Sequence, residues 1–283
     1  MSDGIDLHLH SDHSDGVLDP ESLVALLAQS GVHTFALTDH DTTAGLDRAA
    51  TAALAAGLRA IAGIELSASW LGRTIHVVGL GVDPGAAAMQ AAVATRHAMR
   101  RARAANIALR LDRAGAPGSA ALAWLAGVAV PTRTHFARAL AELGAARDAA
   151  AAFDRWLGHG KPGHVPSEWP ALEATVAEIR AAGGTAVLAH PLRYRLSAGQ
   201  RRTLVKTFAA AGGEALEVVT GGLAPHQLET ATGLALRAGL AGSVGSDCHD
   251  PALPWHRPGR LAKLPEAVVP VWDRWAPAPA GAR

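Results

Sequence analysis

The chain has 283 residues, of which 49% are hydrophobic and 18% charged, so a wholly disordered protein is excluded and one large domain, or a domain with an insertion, is expected. The formal net charge is +1, so any affinity for phosphate has to come from a local site rather than from a general polyanion-binding surface. The single cysteine, Cys248, excludes an intramolecular disulfide.

The first 81 residues alternate short apolar runs with alanine-rich stretches that are typical of helices. Pro20 suits the first turn of a helix, and Gly31 suits its end. Strands are predicted at residues 5–9, 34–38, 58–66 and 74–81, and helices at 20–29 and 43–56. This alternation predicts a parallel α/β sheet or barrel.

The pattern changes in the middle of the chain, where residues 84–115 and 120–157 have helical signals and no clear strand. The alternation then resumes, with helices predicted at residues 172–182, 198–211 and 225–238 and strands at 185–190, 215–220 and 241–246. We therefore predict a barrel formed by residues 1–99 and 159–283 and a helical insertion formed by residues 100–158. The tail after Trp275 is rich in proline and alanine and is expected to be frayed.

The N-terminus lacks the basic start and the apolar core of a secretory signal. The longest apolar stretch, around residues 120–130, is too short to span a bilayer. We expect a cytoplasmic protein with no membrane association, and the sequence indicates no stable protein partner.

Acidic and histidine side chains lie at the ends of the predicted strands or just after them. In parallel α/β barrels the carboxyl ends of the strands converge on one mouth, and residues at i and i+2 of a strand share a face, as do His8 and His10. The candidates are His8, His10, Asp15, His40, Glu65, His76, His190, Asp247 and His249. Histidine is the commonest nitrogen ligand of metals, so the set predicts a metal site.

Each of these residues has a structural explanation when it is taken alone. Asp15 and the following glycine suit a turn, residues 39–41 suit a helix cap, and His76, near the start of its predicted strand, would usually be a core histidine. Cys248 is expected to be a packed thiol. The metal site is predicted from the whole set at one end of the sheet, which a chance composition rarely produces.

The ordered motifs resemble those of the polymerase-and-histidinol-phosphatase (PHP) superfamily. They are DLHLH at 6–10, SDG at 14–16, LTDHD at 37–41, GIE at 63–65, His76, AHP at 189–191 and GSDCH at 245–249. The resemblance implies a distorted (β/α)7 barrel that carries three divalent metal ions. Mn²⁺ is favoured over Zn²⁺ or Fe²⁺, because Asp15 supplies an oxygen ligand, which suits harder ions, where some relatives have histidine.

The resemblance also implies how the metal ligands are shared. His8, His10, Glu65 and Asp247 would hold the first ion, Glu65, His76 and His190 the second, and Asp15, His40 and His249 the third. A metal-bridging water held by Glu65 and Asp247 would attack phosphorus without a covalent intermediate. Asp6 is expected to orient an imidazole.

Further segments resemble one branch of the superfamily, the 3′,5′-nucleoside bisphosphate phosphatases and 5′→3′ exoribonucleases. They include RTHFAR at 133–138 and GKPG at 160–163. The resemblance implies hydrolysis of the 3′-phosphate of adenosine 3′,5′-bisphosphate to give AMP. Arginine binds phosphate in bidentate fashion, so Arg101, Arg103 and Arg133 are the candidates for binding the 5′-phosphate. His135, in the same segment as Arg133, is the fourth candidate substrate-binding residue. A solvated helix face is the alternative for the arginines.

Three other functions remain open at this point. The first is a 5′→3′ exonuclease that acts on short 5′-phosphorylated RNA or DNA through the same metal site. The second is a histidinol-phosphate phosphatase, against which the segment at Arg133 argues. The third is a non-catalytic module associated with a polymerase, against which the complete set of ligands argues.

Overall fold

The computed structural model describes residues 4–166, 168–253 and 256–275. The strands are β1 (Ile5–Asp6), β2 (Thr34–Leu37), β3 (Arg59–Trp70), β4 (Arg73–Leu80), β5 (Thr185–Leu188), β6 (Ala215–Thr220) and β7 (Ala241–Gly245). The helices are α1 (Pro20–Gln29), α2 (Leu46–Ala56), α3 (Ala87–Arg113), α4 (Gly118–Trp124), α5 (Arg133–Glu142), α6 (Ala149–Ala152), α7 (Leu172–Ala181), α8 (Ala198–Ala210) and α9 (Pro225–Ala238). A π-helical turn follows α6 at Phe153–Leu157, and a 3₁₀ turn lies at Val271–Trp275. The tail that was predicted to be frayed lies outside the described residues.

The seven strands form one sheet in the order of the chain, β1 to β7. Beyond β1 the sheet nearly closes on itself, because the amide of Leu7 donates to the carbonyl of Val244 at 2.9 Å and the amide of Asp247 donates to the carbonyl of His8 at 2.9 Å. Helices connect most successive strands. The predicted distorted seven-stranded β/α barrel is confirmed.

Strand β4 departs from the predicted parallel arrangement, because it pairs antiparallel with both β3 and β5. Only Leu71 and Gly72 separate β3 from β4, and both have left-handed backbones, with φ of 47° and 70°. Such a two-residue connection reverses the chain, whereas a parallel partner needs a long crossover. The reversal puts His76 opposite Ser67 and so at the same end of the barrel as the other strand ends.

The described residues pack around separate apolar cores, and α3 contributes to two of them. Met89 and Ala92 belong to the barrel core. Ile107 and Leu111, about four to six turns further along the same helix, belong to a core formed by the helical segment that ends at Leu157. The predicted boundary after residue 99 therefore falls inside a continuous helix, and the division into barrel and insertion stays a prediction.

The helix ends follow from local sequence. The side chain of Asp19 accepts a hydrogen bond from the amide of Ser22 at 2.7 Å, and Pro20 occupies the first turn of α1, where its missing N–H costs nothing.

Within the described residues, every helix is too short or too polar to cross a lipid bilayer.

Candidate metal centre

The ends of the strands and the loops after them bring together the predicted metal-binding side chains. The nine residues that meet at one mouth of the barrel are His8, His10, Asp15, His40, Glu65, His76, His190, Asp247 and His249. Most are buried, while His76 and His249 are half-buried. The position of His76, which was exceptional in the sequence, follows from the reversed direction of β4.

Glu65, which is fully buried, lies at the middle of this cluster. Its Oε1 lies 3.3 Å from His8 Nε2 and 3.2 Å from His76 Nδ1. The same oxygen lies 3.1 Å from His190 Nε2, while Oε2 lies 2.8 Å from His40 Nδ1. One carboxylate thus contacts imidazoles from four different segments of the chain, which is the geometry expected of a bridging ligand.

Two other carboxylates extend the cluster on either side of His10. Asp247 Oδ1 lies 3.1 Å from His10 Nε2. Asp15 Oδ1 lies 3.1 Å from His249 Nε2 and 3.8 Å from His40 Nε2. The rings of His10 and His249 stack with their centroids 4.0 Å apart. The ligands around Glu65 and those around Asp15 therefore form one continuous centre.

The nitrogen and oxygen atoms of the centre are better placed to coordinate metal ions than to hydrogen-bond to one another. Ligand atoms that lie within 4.8 Å of one another form the groups His8, His10 and Glu65; His40, Glu65 and His76; His10, Asp15, His40 and His249; and Asp247, His249 and His256. Among the described residues, Asp15 Oδ1, Glu65 Oε2 and Asp247 Oδ1 are buried oxygens with no aligned hydrogen-bond donor, although imidazole nitrogens lie close by. Buried anionic oxygens require a cation or a donor, and divalent ions supply the first.

The carboxylates of the centre are held in their ionised form. Burial favours the neutral acid, but the neighbouring His40 and His76 outweigh it and hold the pKa of Glu65 well below its usual range. Burial is likewise outweighed at Asp15 and Asp247, whose pKa values lie well below the usual range because of adjacent histidines. Three buried negative charges within one cluster attract cations, as metal ligands must.

Glu217 is a site residue that the sequence analysis missed. Its Oε1 lies 3.1 Å from His8 Nδ1, and its Oε2 accepts a hydrogen bond from the amide of His190 at 2.5 Å. Asp6, which was expected to orient an imidazole, instead accepts hydrogen bonds from the amides of Ser246 at 2.9 Å and His8 at 3.4 Å. The expectation for Asp6 was wrong, because its side chain faces backbone and Glu217 holds the imidazole.

Three residues of the centre or beside it have left-handed backbones, which non-glycine residues rarely adopt. They are Asp41, His190 and Asp247, with φ of 53°, 29° and 54°. Such conformations cost free energy and persist where the surrounding structure fixes them, as at functional sites. The hydrogen bond from the His190 amide to Glu217 is one such restraint.

Side chains beyond the predicted set support the ligands. Arg193 pairs through Nη1 with Asp247 Oδ2, and His256 Nδ1 lies 2.5 Å from the carbonyl oxygen of Asp247. The hydroxyl of Tyr194 accepts a hydrogen bond from the amide of His76 at 2.8 Å. The sequence analysis assigned no role to Arg193 or Tyr194.

A cationic cavity of about 190 Å³ opens beside the centre. Its lining includes Asp15, His40 and His76 from the centre and Arg100, Arg103 and Arg133 from α3 and α5. Arg100 Nε donates to Asp41 Oδ2 at 2.7 Å, so its charge is compensated. Among the described residues, Arg103 donates only to carbonyls, at 2.7 Å to Val165 and 3.2 Å to Pro166. The guanidinium of Arg133 lies 5.1 Å from the ring of Phe153.

The four predicted substrate-binding residues have different positions. Arg103 and Arg133 line the cavity, and burial together with the neighbouring Arg133 and Arg100 lowers the pKa of Arg103 to about 10. Arg101 is exposed and is not part of the lining. His135 is buried, and its Nδ1 lies in the capping box of α5, 3.2 Å from the amide of Thr132. Burial lowers the pKa of His135 to about 4.

Comparison with known proteins agrees with this geometry. The family model of the PHP domain matches residues 6–80. A 5′-3′ exoribonuclease from Haemophilus influenzae is 40% identical over 97% of this chain and 100% of its own length. A 3′,5′-nucleoside bisphosphate phosphatase from Chromobacterium violaceum is 40% identical over 95% of each chain.

Two solved structures share the fold over most of the chain. An amidohydrolase from Chromobacterium violaceum, with bound sulfate and no metal, is 38% identical with a TM-score of 0.89, covering 96% of this chain and 95% of its own. A structure described as a metal-dependent phosphoesterase, from Bifidobacterium adolescentis, is 30% identical with a TM-score of 0.78, covering 88% and 89%.

Proposed function

This chain belongs to the PHP-domain family of metal-dependent phosphoesterases, and on that premise we propose that it removes the 3′-phosphate of nucleoside 3′,5′-bisphosphates, converting adenosine 3′,5′-bisphosphate to AMP. The observation that carries the proposal is the cationic cavity that shares Asp15, His40 and His76 with the metal centre. A substrate with two phosphates finds two anion sites there, one at the metals and one at the arginines.

The arginines of the cavity support the assignment of the second anion site. Within the described residues neither Arg103 nor Arg133 pairs with a carboxylate, whereas Arg100 is paired with Asp41. Arg103 and Arg133 therefore keep an uncompensated positive charge in a partly buried place, where a phosphate dianion is the natural partner. We propose that these two arginines bind the 5′-phosphate and that residues 100–158 form a cap over the substrate.

We propose that the metal centre holds three divalent ions, with Mn²⁺ favoured over Zn²⁺ or Fe²⁺. When bound, the ions would supply positive charge for the transferring phosphoryl group and lower the pKa of a coordinated water toward about 7, as for zinc. Glu65 and Asp247 present carboxylate oxygens to the place between the imidazoles, and Glu217 fixes the ring of His8. We propose that His8, His10, Glu65 and Asp247 hold the first ion, Glu65, His76 and His190 the second, and Asp15, His40 and His249 the third.

A cytoplasmic location and the lack of a stable protein partner stay predictions.

A second function has specific support. The exoribonuclease from Haemophilus influenzae is as similar to this chain as the bisphosphate phosphatase is. A 5′→3′ exonuclease would use the same metals and would bind the 5′-phosphate of a short chain in the same cavity. We therefore keep hydrolysis of short 5′-phosphorylated RNA or DNA as the second candidate.

A phosphoester panel tests the proposal. Metal-free protein reconstituted with Mn²⁺ is assayed on adenosine 3′,5′-bisphosphate, 3′-AMP, 5′-AMP, histidinol phosphate and a short 5′-phosphorylated RNA. We expect the bisphosphate to have the highest kcat/KM and 5′-AMP to be inert. Faster turnover of histidinol phosphate or of 3′-AMP would overturn the proposal, and much faster turnover of the RNA would establish the second candidate.

A further inference from the structure

A second cavity lies beside β6, away from the cationic cavity beside β3 and β4. Its volume is about 800 Å³, which is within the usual range of ligand pockets. The end of β6, the start of α9 and the segment 257–262 form its walls. Leu223 and Leu228 supply apolar surface, and Arg257 and Arg260 supply positive charge; none of the described lining residues is acidic.

Two sets of contacts connect the lining of this cavity to the metal centre. Arg193 pairs through Nη1 with the Asp247 carboxylate and donates through Nη2 to the carbonyl of Gly221 at 3.1 Å, and Gly221 lines the cavity. His256 lies 2.5 Å from the carbonyl of Asp247, and the next residue, Arg257, also lines the cavity. One side chain, Arg193, therefore joins the lining residue Gly221 to Asp247, a proposed metal ligand.

The two candidate reactions break the same bond. In both, water forms a bond to phosphorus, the bond from phosphorus to O3′ of the first nucleotide breaks, and O3′ gains the proton that the water gives up. The reactions differ only in what the phosphorus carries. In a bisphosphate it carries terminal oxygens, whereas in an oligonucleotide it also carries O5′ of a second nucleotide, which needs room beyond the metals.

We propose that the cavity beside β6 holds this second nucleotide when a short 5′-phosphorylated oligonucleotide is bound. The inference rests on the proposed function, since the cationic cavity must hold the first nucleotide. Arg257 and Arg260 contact the phosphate on the 3′ side of the second nucleotide, and Leu223 and Leu228 pack against its base. The cavity thus gives the protein its capacity for diesters.

Two variants and a matched control test the inference. Ala262→Trp fills the cavity from an exposed position, and Arg260→Glu reverses the charge on its rim. Arg202→Glu makes the same charge change at an exposed position of α8. Each protein is assayed with Mn²⁺ on adenosine 3′,5′-bisphosphate and on a 5′-phosphorylated triadenylate, which carries a phosphate on each side of its second nucleotide.

We expect both cavity variants to lose about tenfold or more in kcat/KM on the triadenylate and to keep wild-type kcat/KM on the bisphosphate. Arg260→Glu loses a charged phosphate contact, and Ala262→Trp occupies the space of the second nucleotide. The control should match wild type on both substrates. Equal losses on both substrates, or no loss on the triadenylate, would overturn the inference. So would a wild-type protein that hydrolyses the bisphosphate alone, which leaves the proposed function intact; inactivity on the bisphosphate would instead overturn that function.

Discussion

The carboxylate of Glu65 presents both oxygens to imidazole nitrogens at distances of 2.8 to 3.4 Å. Glu65→Gln keeps the shape of the side chain and removes its charge, so a bridging ligand would be lost while packing is retained. We expect the metal content of the purified protein to fall and kcat/KM on the bisphosphate to drop by at least about 100-fold. Elemental analysis and the phosphate-release assay measure both.

The control for Glu65→Gln is Glu229→Gln, which makes the same change at an exposed position of α9. It should bind metal and turn over substrate as the wild type does. Normal metal content in Glu65→Gln would contradict the bridging role.

Glu217 acts on the ligands rather than on the metals. Both of its oxygens are engaged, one with the ring of His8 and one with the amide of His190. Groups that orient metal-binding histidines change metal affinity by roughly 10–100-fold when they are replaced, and we expect Glu217→Gln to weaken metal binding by that factor. A metal titration monitored by activity measures it, with Glu173→Gln on α7 as the exposed control. Unchanged affinity would show that Glu217 is only a packing residue.

The ligands could be predicted from the sequence because they follow strands at regular spacing. His8 and His10 are two residues apart, and strand geometry alone puts them on one face. Glu217 was missed because it lies within a buried strand rather than at its end. Its signal was an acidic residue in an otherwise apolar run, since glutamate is almost never fully buried without a partner.

At the scale of elements, the direction of β4 escaped prediction. The alternation of strands and helices favoured a parallel sheet, but Leu71 and Gly72 leave no room for a crossover between β3 and β4. Only one of the two turn residues is glycine, so the usual signal of a two-residue hairpin was weak. Recognising the hairpin would have explained why His76 lies near the start of its strand.

Asp41 fixes α3 to the loop that carries His40. Its Oδ1 accepts from the amide of Ser67 at 2.6 Å and lies 3.5 Å from Arg96 Nε, while its Oδ2 accepts from Arg100 Nε at 2.7 Å. Burial raises the pKa of Asp41, but the two guanidiniums outweigh it and hold the pKa below the usual value. The carboxylate therefore stays ionised in the interior.

Asp41→Asn would leave buried guanidinium charge without its partner. We expect the free energy of unfolding to fall by about 3–5 kcal/mol, as for other broken buried pairs. Urea denaturation measures the loss, with Asp47→Asn at an exposed position of α2 as the control. A loss no larger than that of the control would contradict the coupling between α3 and the loop.

At the scale of the whole molecule, the two halves of the site come from different kinds of structure. The metal half follows from where strands end, so its residues were predictable. The arginine half depends on how α3 and α5 pack, and the helical register could not be fixed from the sequence. Arg100 and Arg103 line the cavity, whereas Arg101 is exposed on the same helix. For the same reason the boundary of the insertion could not be located within α3.

The most direct test of the account is the ratio of kcat/KM for adenosine 3′,5′-bisphosphate to kcat/KM for 3′-AMP, measured for wild type, Arg133→Ala and Arg113→Ala. Arg113, exposed in the last turn of α3, is the control. A wild-type preference for the bisphosphate should fall by about 10- to 100-fold in Arg133→Ala, the effect of losing a charged hydrogen bond, and stay unchanged in Arg113→Ala. Equal kcat/KM values for the two substrates in the wild type, or an unchanged ratio in Arg133→Ala, would contradict the binding of the 5′-phosphate by Arg133.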